Sequence, residues 1–415
     1  ILKMQELAKK SKAASRELMS LTSDVKTKIF NELVKNLKEA KDDINSQNLI
    51  DLDQAKKAGL PAAMIDRLDL SHERLDQVIA GVEQIRDQEE VVGSFYEEFE
   101  NEIGLKIKKQ RIPLGVILMI FESRPNVVVD CAALAIKSSN AIILKGGKEA
   151  KNTNEILGHI IRNSISKYIP EDSVTVLASD DRQCVNDLLS LNEEIDVVIP
   201  RGGHGLIDYV SNNTKIPVIA HYKGLCHMYI DKFADKNKAI DLIENAKTQR
   251  PGVCNAVETL LIHKDILPEI ASELNDRLKS KGTELRVDDA FDKETSGVML
   301  KATEDDWKTE YLDNILSIKT VGTLDDAINH ISAYGSNHSE SIVSEDTTRC
   351  SKFLNSVDAS CVMINASTRF NDGGQLGLGA ELGISTTKLH AYGPMGVEQM
   401  TTSRYVVVGD GQIRS

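Results

Sequence analysis

The sequence predicts an α/β fold with a parallel sheet, and two observations carry this prediction. Residues 3–90 contain no β-rich run, and apolar side chains such as Val25, Ile29 and Leu33 recur there at helical spacing. From residue 114 onward, short apolar segments alternate with segments of helical periodicity. Because strands that alternate with helices pair in parallel, we expect a helical lead-in followed by α/β layers.

The first α/β region contains four strand and helix pairs. Its predicted strands are 114–121, 141–144, 173–178 and 195–200, and the helices after them are 127–137, 152–167, 182–191 and 205–212. A second region runs from about 228 to 391, with strands at 259–262, 315–320, 340–343 and 361–365. Strict alternation predicts a further half-buried strand near 104–109, and 403–409 reads as the last strand.

Length and composition limit the possible functions. A chain of 415 residues exceeds what one hydrophobic core usually serves, so two or more domains are expected. The 41% hydrophobic and 27% charged residues are typical of a globular protein. The net charge of −13 disfavours nucleic acid and anionic lipid as partners. Local groups must therefore hold any anionic ligand.

The six cysteines form no CxxC pair and no metal-type spacing, so the sequence predicts neither disulfides nor a metal site. No apolar run approaches the roughly 20 residues of a membrane helix. The first residues carry no secretory apolar segment, and we expect a cytoplasmic location. Because residue 1 is isoleucine, the numbering is expected to start inside the full chain or after a tag.

Cys254 is the strongest candidate for a nucleophile. It follows Pro251 and Gly252 in a loop between a helical segment and a strand, which leaves the thiol accessible and brings backbone N–H groups near it. A small buried side chain is the usual state of a single cysteine. We apply that interpretation to Cys131, Cys184, Cys350 and Cys361.

Two glycine turns follow predicted strands, where α/β sheets bind nucleotides. Lys145-Gly146-Gly147-Lys148 precedes one helix, and its two lysines favour a ribose 2′-phosphate, hence NADP over NAD. A tight βα turn without a ligand is the alternative. Arg201-Gly202-Gly203 precedes another helix and directs its N-terminus at a phosphate.

Two further polar segments are candidates for substrate binding. The segment 122–126 ends a strand and contains Arg124, an anion binder or a solvated loop charge. The segment 365–381 is glycine-rich and polar, and it lines a small-substrate pocket or forms a surface loop. Within it, Arg369 is the preferred ligand of a substrate carboxylate, because its fork binds one bidentately.

Together these segments resemble one family over nearly the whole chain, the gamma-glutamyl phosphate reductases of the aldehyde dehydrogenase superfamily. The matching segments are PLGV at 113–116, ESRPN at 122–126, LKGG at 144–147, PRGG at 200–203, AKTQRPGVCNA at 246–256, NASTRF at 365–370 and GAELGIST at 379–386. They are long, ordered and jointly specific.

The resemblance implies an aldehyde dehydrogenase-like α/β fold with three parts. Residues 1–92 and 113–228 would form the helical lead-in and the Rossmann-like NADP-binding domain. Residues 229–392 would form the α/β catalytic domain. Residues 93–112 and 393–415 would form a small oligomerisation element, so a homo-oligomer is expected.

The resemblance also implies roles for individual residues. Cys254 would be the nucleophile, with Asn255 or backbone groups binding the oxyanion, and Glu310 would bind the nicotinamide ribose. The other implied cofactor residues are Lys145, Gly146, Gly147, Lys148, Arg201, Gly202 and Gly203, and the substrate residues are Arg124, Asn126, Asn365, Ser367, Thr368 and Arg369.

One departure from the superfamily bears on the reaction. Hydrolytic aldehyde dehydrogenases carry a glutamate base upstream of the cysteine, where this chain reads His221-Tyr222-Lys223-Gly224-Leu225. A carboxylate that activated water would hydrolyse the thioester and waste a phosphorylated substrate. The substitution therefore favours phosphate as the acyl partner.

The implied activity is NADPH-dependent reduction of L-glutamyl 5-phosphate to L-glutamate 5-semialdehyde and phosphate through a Cys254 thioester, the second step of proline biosynthesis. Functional association with glutamate 5-kinase is a further expectation. A coenzyme A-acylating aldehyde dehydrogenase is the nearest alternative. A cysteine amidase with Cys254 and His221, and a noncatalytic nucleotide-binding scaffold, are alternatives from other classes.

Overall fold

The computed structural model describes residues 2–178, 183–295 and 299–414. The chain divides into two compact units, and each is described separately. Unit 1 is formed by the described residues of Ile1–Ala220, Gly377–Gly383 and Met395–Ser415, and unit 2 by those of His221–Leu376 and Ile384–Pro394. In the described residues no helix has the length and apolar character needed to cross a membrane.

Unit 1 begins with the predicted helical lead-in. Its helices are α1 (Leu2–Leu18), α2 (Ser23–Glu39), α3 (Lys41–Lys57), α4 (Ala62–Leu68), α5 (His72–Asp87), α6 (Asn126–Lys137), α7 (Lys151–Ile165), α8 (Gln183–Leu189) and α9 (His204–Asn212). Thr22 accepts from the Val25 N–H and so satisfies a donor at the start of α2. Ile29, Leu33 and Leu37 then lie on the buried face that their spacing predicts.

A four-stranded parallel sheet forms the centre of unit 1. Its strands are β3 (Val116–Phe121), β4 (Ala141–Lys145), β5 (Val174–Leu177) and β6 (Val197–Arg201), in the order β5-β4-β3-β6. Every residue of β3 and β4 is buried, which explains their uninterrupted apolar character. All four strands were predicted, and so were the helices after them; residue 182, the predicted start of the third helix, lies outside the described residues.

Unit 1 also contains a separate antiparallel sheet. It consists of β1 (Phe95–Glu100), β2 (Lys106–Pro113) and β16 (Thr401–Val408), with β2 in the middle. Phe95, Phe99, Tyr405 and Val407 are exposed on it. These strands are the ones predicted to form an oligomerisation element, and that role stays a prediction.

Unit 2 is built on a seven-stranded parallel sheet. Its strands are β7 (Cys226–Ile230), β8 (Val257–His263), β9 (Glu284–Val287), β10 (Leu300–Lys301), β11 (Ile315–Val321), β12 (Ser339–Val343) and β13 (Cys361–Ile364), in the order β10-β9-β11-β8-β7-β12-β13. Its helices are α10 (Lys236–Thr248), α11 (Leu267–Ser280), α12 (Asp289–Thr295), α13 (Leu324–Tyr334) and α14 (Thr347–Ser356), and a short ladder joins β14 (Ile384–Ser385) to β15 (Gly393–Pro394).

Six strands of the structure were not predicted as strands: the two-residue strands β10, β14 and β15, and the longer strands β1, β7 and β9. β1 and β9 carry charged side chains, and β7 places Cys226 and His227 in the interior. Such polar residues conceal the apolar pattern of a strand, although every residue of β7 is buried by its neighbours β8 and β12. The boundary between units falls after Ala220, and the division into three parts that the resemblance implies, with a boundary after residue 228, stays a prediction.

Candidate functional site

Three polar turns meet at one edge of the unit 1 sheet. The last residues of β3 and β6, Phe121 and Arg201, are paired, and Ile120 of β3 is paired with Lys145 of β4. The segments that follow β3, β4 and β6 therefore leave the same carboxyl edge side by side. This is the edge at which open parallel sheets bind ligands.

Close contacts explain both glycines of the turn after β4. A Cβ at Gly146 would lie 2.2 Å from the Asn154 amide nitrogen, and one at Gly147 would lie 2.2 Å from Oε1 of Glu149. Lys145 is only 7% exposed, and its ammonium donates to the Gly146 carbonyl at 2.7 Å. Packing within unit 1 thus accounts for this turn.

Lys148 is exposed at the same turn and borders a cavity of about 620 Å³. Lys151 and Glu149 also line the cavity, together with residues of α3 such as Gln54 and Ala58. Glu149 is held through Oε1, which accepts from the backbone N–H and the hydroxyl of Ser123 at 2.9 and 2.6 Å. Two ammonium groups therefore lie beside one carboxylate that is already hydrogen-bonded.

The N-terminus of α7 contains a carboxylate of the chain itself. Asp51 of α3 is buried, and its oxygens accept from the Asn152 and Thr153 N–H groups at 3.2 and 2.8 Å. The same carboxylate accepts from the side chains of Asn152 and Thr153 at 2.8 and 2.6 Å. Asp51 therefore takes these donors and caps the N-terminus of α7, and the predicted contact of the Lys145–Lys148 turn with a cofactor stays a prediction.

A carboxylate also lies at the second glycine turn, but in a more open setting. Gly203 donates its N–H to Oε2 of Glu122 at 3.0 Å, and that oxygen lies 2.5 Å from where a Cβ on Gly202 would be. Among the residues that the structure describes, none lies within 4 Å of a Cβ on Gly203 or Gly205. The turn binds an anion in this structure and leaves space for a larger one. Arg201 donates to the Leu382 carbonyl.

The segment after β3 contains two of the predicted substrate residues. Asn126 donates its amide to Asp130 at 3.0 Å. Burial raises the pKa of Asp130 to about 6, although this hydrogen bond and the charge of Arg201 oppose the shift. Arg124 is half-buried in the same segment. An acid, an amide and arginine side chains thus lie at this edge of unit 1.

Cys254 lies in unit 2, half-buried in the loop between α10 and β8. The Cys226 thiol donates to its backbone carbonyl at 3.2 Å. A Cβ at Gly224 would lie 2.1 Å from the same carbonyl oxygen, so the two backbones touch. Cys131, Cys184 and Cys350 are buried as predicted, and Cys361 is half-buried.

The segment 221–225 is therefore packed against the nucleophile loop. His221, where the superfamily carries its base, is half-buried, and its ring lies edge-on to His338 at 6.3 Å between centroids. Glu310 accepts from the Gly224 N–H at 2.9 Å. Glu310 thus holds the backbone that touches Cys254, and its predicted contact with a ribose stays a prediction.

Arg369 joins the two ends of the nucleophile loop. Its Nε donates to Oε1 of Gln249 at 2.9 Å, and its Nη1 donates to Oδ1 of Asn255. This arrangement differs from the expected bidentate carboxylate site, because two guanidinium donors are already used. Burial first, and then the charge of Arg250, lower the pKa of Arg369, while the charges of Asp372 and Cys254 raise it.

Asn255 is a structural residue of the loop. It is 4% exposed, and its amide donates to the backbone carbonyls of Asn371 at 3.0 Å and Arg369 at 3.5 Å. Its side-chain donors therefore have partners within unit 2, and the expectation that Asn255 binds an oxyanion stays a prediction. Backbone N–H groups of the loop are the other candidates that the sequence offers.

Three other predicted substrate residues are occupied or enclosed. Asn365 pairs its amide with the backbone of Ser344, accepting at 2.9 Å and donating at 3.0 Å. Ser367 is 1% exposed and accepts from the Arg369 N–H, and Thr368 is 0% exposed. The predicted contacts of these three residues with a substrate stay predictions.

The sequence offered no reason to single out a buried ion pair that flanks the loop. Lys247 and Glu258 are both fully buried, with 3.4 Å between ammonium and carboxylate. Lys247 also donates to the Val257 carbonyl, and Glu258 accepts from the Tyr311 N–H, both at 3.1 Å. Burial raises the pKa of Glu258, while the charge of Lys247 opposes that shift. From the sequence alone, a lysine in the last turn of a helix is expected to be exposed to solvent.

Comparisons with known proteins agree with this architecture. The model of the aldehyde dehydrogenase family matches residues 3–314. The gamma-glutamyl phosphate reductase of Clostridium tetani is 48% identical over 98% of this chain and 97% of its own length. That of Desulfatibacillum aliphaticivorans is 46% identical over 99% of this chain and 98% of its own.

A solved structure extends the agreement to three dimensions. The gamma-glutamyl phosphate reductase of Thermotoga maritima superimposes with a TM-score of 0.96 at 41% identity, covering 99% of this chain and all of the other. Sequence identity and fold agree over the full length of both proteins. The chain therefore belongs to the aldehyde dehydrogenase family and, within it, to the gamma-glutamyl phosphate reductases.

Proposed function

We propose that this chain catalyses the reduction of L-glutamyl 5-phosphate to L-glutamate 5-semialdehyde and phosphate through a Cys254 thioester, the second step of proline biosynthesis. The observation that carries the proposal is the identity of 45–48% with gamma-glutamyl phosphate reductases over nearly the whole chain. The setting of Cys254 supports it. A coenzyme A-acylating reaction is the alternative that the experiment below must separate.

The thiol of Cys254 would attack the acyl carbon of the phosphorylated substrate. The S–C bond forms as the C–O bond to the phosphoryl group breaks, and the electron pair of that bond leaves on phosphate. The guanidinium of Arg369 favours the thiolate that this attack requires. Contact with Gly224 and the Cys226 hydrogen bond hold the backbone of the nucleophile in one place.

The same surroundings favour a thioester that survives until it is reduced. The segment 221–225 touches Cys254 through Gly224, and it carries a histidine where hydrolytic relatives carry a glutamate. Glu310, the acid that contacts this segment, accepts from the Gly224 N–H. The chain therefore has no glutamate at the position from which water is activated in those enzymes.

A nicotinamide cofactor, as used by the aldehyde dehydrogenase family, would supply the hydride that reduces the thioester. The Gly202-Gly203 turn fits a cofactor phosphate, because it already binds the Glu122 carboxylate and is open around Gly203. Lys148 and Lys151, at the rim of the cavity beside α7, favour the additional phosphate of NADP over NAD.

The test is an assay of semialdehyde oxidation with NADP or NAD, with and without inorganic phosphate or arsenate. We expect turnover only when phosphate or arsenate is present, a higher kcat/KM with NADP, and loss of turnover in Cys254→Ala. The matched control is Cys361→Ala, another half-buried thiol of unit 2, which should retain activity. Equal turnover in phosphate-free buffer, or dependence on coenzyme A instead, would contradict the proposal.

Three broader features belong to the same proposal. We propose a cytoplasmic location for the enzyme, as expected for a biosynthetic reaction. The exposed apolar side chains of the β1-β2-β16 sheet support its use in homo-oligomerisation. Because acyl phosphates hydrolyse readily, association with the glutamate 5-kinase that would supply the substrate is also proposed.

A further inference from the structure

We propose that Arg250 is a further catalytic residue, whose guanidinium binds the phosphoryl group of the acyl phosphate while Cys254 attacks the acyl carbon. In the reverse direction it would bind the inorganic phosphate that attacks the thioester. The inference rests on the proposed function and assigns a residue to its leaving group.

Arg250 lies in the same short loop as the nucleophile. Arg250 and Cys254 lie four residues apart, so their Cα atoms are separated by at most about 14 Å. Arg369 binds Gln249 and Asn255, the residues just outside the pair, with the same guanidinium. One side chain thus closes both ends of the segment that holds Arg250 and the nucleophile.

The positive charge of Arg250 also suits an anion-binding role. Arg250 is exposed, and it forms no ion pair or hydrogen bond with any described residue of the chain. Its charge nevertheless acts on Arg369, whose pKa it lowers after the larger effect of burial. Arg369 therefore lies within electrostatic reach of both the Arg250 guanidinium and the Cys254 thiol. A doubly charged anion would be attracted by both guanidinium groups and would offset the repulsion between them.

The other cations near the loop are less suited than Arg250 to bind phosphate. Lys247 is fully buried and paired with Glu258. Arg369 already uses Nε and Nη1 to hold the loop. A group that binds phosphate and releases it in every turnover has to reach solvent with its donors available, and Arg250 meets both conditions. Its planar fork also matches phosphate oxygens bidentately.

The step is balanced without a further reactant. Cys254 reacts as the thiolate after its proton has passed to solvent, sulfur bonds to the acyl carbon, and the C–O bond to the phosphoryl group breaks with its electron pair on the phosphate oxygen. Arg250 stabilises the charge that remains on the departing phosphate. Phosphorolysis of the thioester follows the same path in reverse, which makes the site measurable with inorganic phosphate alone.

The experiment measures two Michaelis constants in the oxidative direction, for inorganic phosphate and for the semialdehyde. In Arg250→Gln the KM for phosphate should rise roughly 10- to 100-fold, as expected for loss of a charge-assisted contact. The KM for the semialdehyde should change less than about twofold. Arg250→Lys keeps the charge but not the fork, so its KM for phosphate should be intermediate.

Arg277→Gln is the matched control, since Arg277 is a partly exposed arginine of unit 2 that pairs with Asp241 and Glu244 on α10. It should leave both constants unchanged, and circular dichroism should show that all variants are folded. An unchanged KM for phosphate in Arg250→Gln overturns the inference. So does a rise confined to the KM for the semialdehyde, because it would place Arg250 at the substrate carboxylate.

The failure of this inference is distinguishable from the failure of the proposed function. If the wild-type enzyme turns over without phosphate, the proposed function is wrong. If the wild-type enzyme needs phosphate but Arg250→Gln has the wild-type KM for it, then only the assignment of Arg250 is wrong.

Discussion

The backbone of Cys254 is enclosed by residues that do not react. Gly224 leaves no space for a Cβ beside the Cys254 carbonyl, and the Cys226 thiol donates to that same oxygen. The Glu310 carboxylate accepts a hydrogen bond from the Gly224 N–H and so holds Gly224 in place. The position of the nucleophile thus depends on a glycine that carries no functional group.

We therefore expect Gly224→Ala to impair catalysis strongly. The new Cβ would lie 2.1 Å from backbone oxygen, so the loop must move, and a displacement of about 1 Å at a reacting atom costs on the order of 100-fold in rate. Gly252→Ala is the control in the same loop, because its Cβ would meet only the Leu312 carbonyl at 3.5 Å. Measured kcat/KM values that fall equally in both variants would contradict the expectation.

Arg369 and Asn255 show why single residues were harder to assign than the loop itself. The sequence places Cys254 on an accessible loop, since Pro251 and Gly252 act locally on the backbone. Asn255 was expected to act on an oxyanion, yet its amide is used by Asn371 and Arg369, which lie far along the chain. No local pattern indicates which distant carbonyl a buried amide will meet.

Helix α7 is stabilised by a residue of another helix. Asp51, in the middle of α3, accepts four hydrogen bonds from Asn152 and Thr153 at the start of α7. A buried carboxylate at a helix N-terminus gains from the peptide dipoles as well as from these bonds. The contact joins the helical lead-in to the turn that carries Lys148.

Asp51→Ala should lower the free energy of unfolding by on the order of 2–4 kcal/mol, because it leaves buried N–H groups without their acceptor. Asp53→Ala is the control on the same helix, where an exposed aspartate pairs only with Lys57. That variant should change stability by less than about 1 kcal/mol. Urea denaturation followed by circular dichroism gives both values, and equal losses would refute the assigned cap.

Helix α7, its preceding strand and its approximate ends were predictable from periodicity. The residue that caps α7 was not predictable, because Asp51 lies about 100 residues before the N–H groups from which it accepts. The glycine turn before α7 was predicted as a phosphate site from its position after a strand. Packing against Asn154 and Glu149 also explains those glycines.

Stability of the molecule should depend on pH through two buried histidines of unit 2. Burial lowers the pKa of His330 to about 3, with smaller effects from the charges of His227 and Lys319. Burial also lowers the pKa of His338 to about 3, helped by His221. Within the described residues, neither Nε2 has a hydrogen-bond partner. Both rings are therefore neutral where an unfolded chain would protonate them.

Proton linkage determines whether the free energy of unfolding rises or falls with pH. The folded pKa values lie below the unfolded value of 6.5, so the stability that each neutral ring contributes is present above pH 6.5 and is lost as the pH falls toward 3. The free energy of unfolding should decrease by about 1.4 kcal/mol per pH unit for each histidine in this range. His330→Gln should reduce the slope by that amount.

The measurement is urea denaturation at a series of pH values between 7 and 4. His72→Gln is the control, because this side chain of α5 is exposed and should leave the slope as in the wild type. An unchanged slope in His330→Gln would show that this histidine does not drive the loss of stability in acid.

Local patterns in the chain were sufficient for the α/β class, the predicted strands, the Cys254 loop and the two glycine turns, because each depends on residues that are close together in sequence. Tertiary structure decided which side chains meet: Arg369 closes the loop around Arg250 and Cys254, and Asp51 caps α7. These contacts join segments that are far apart in sequence. They depend on how the helices and strands pack, and no short segment carries that information.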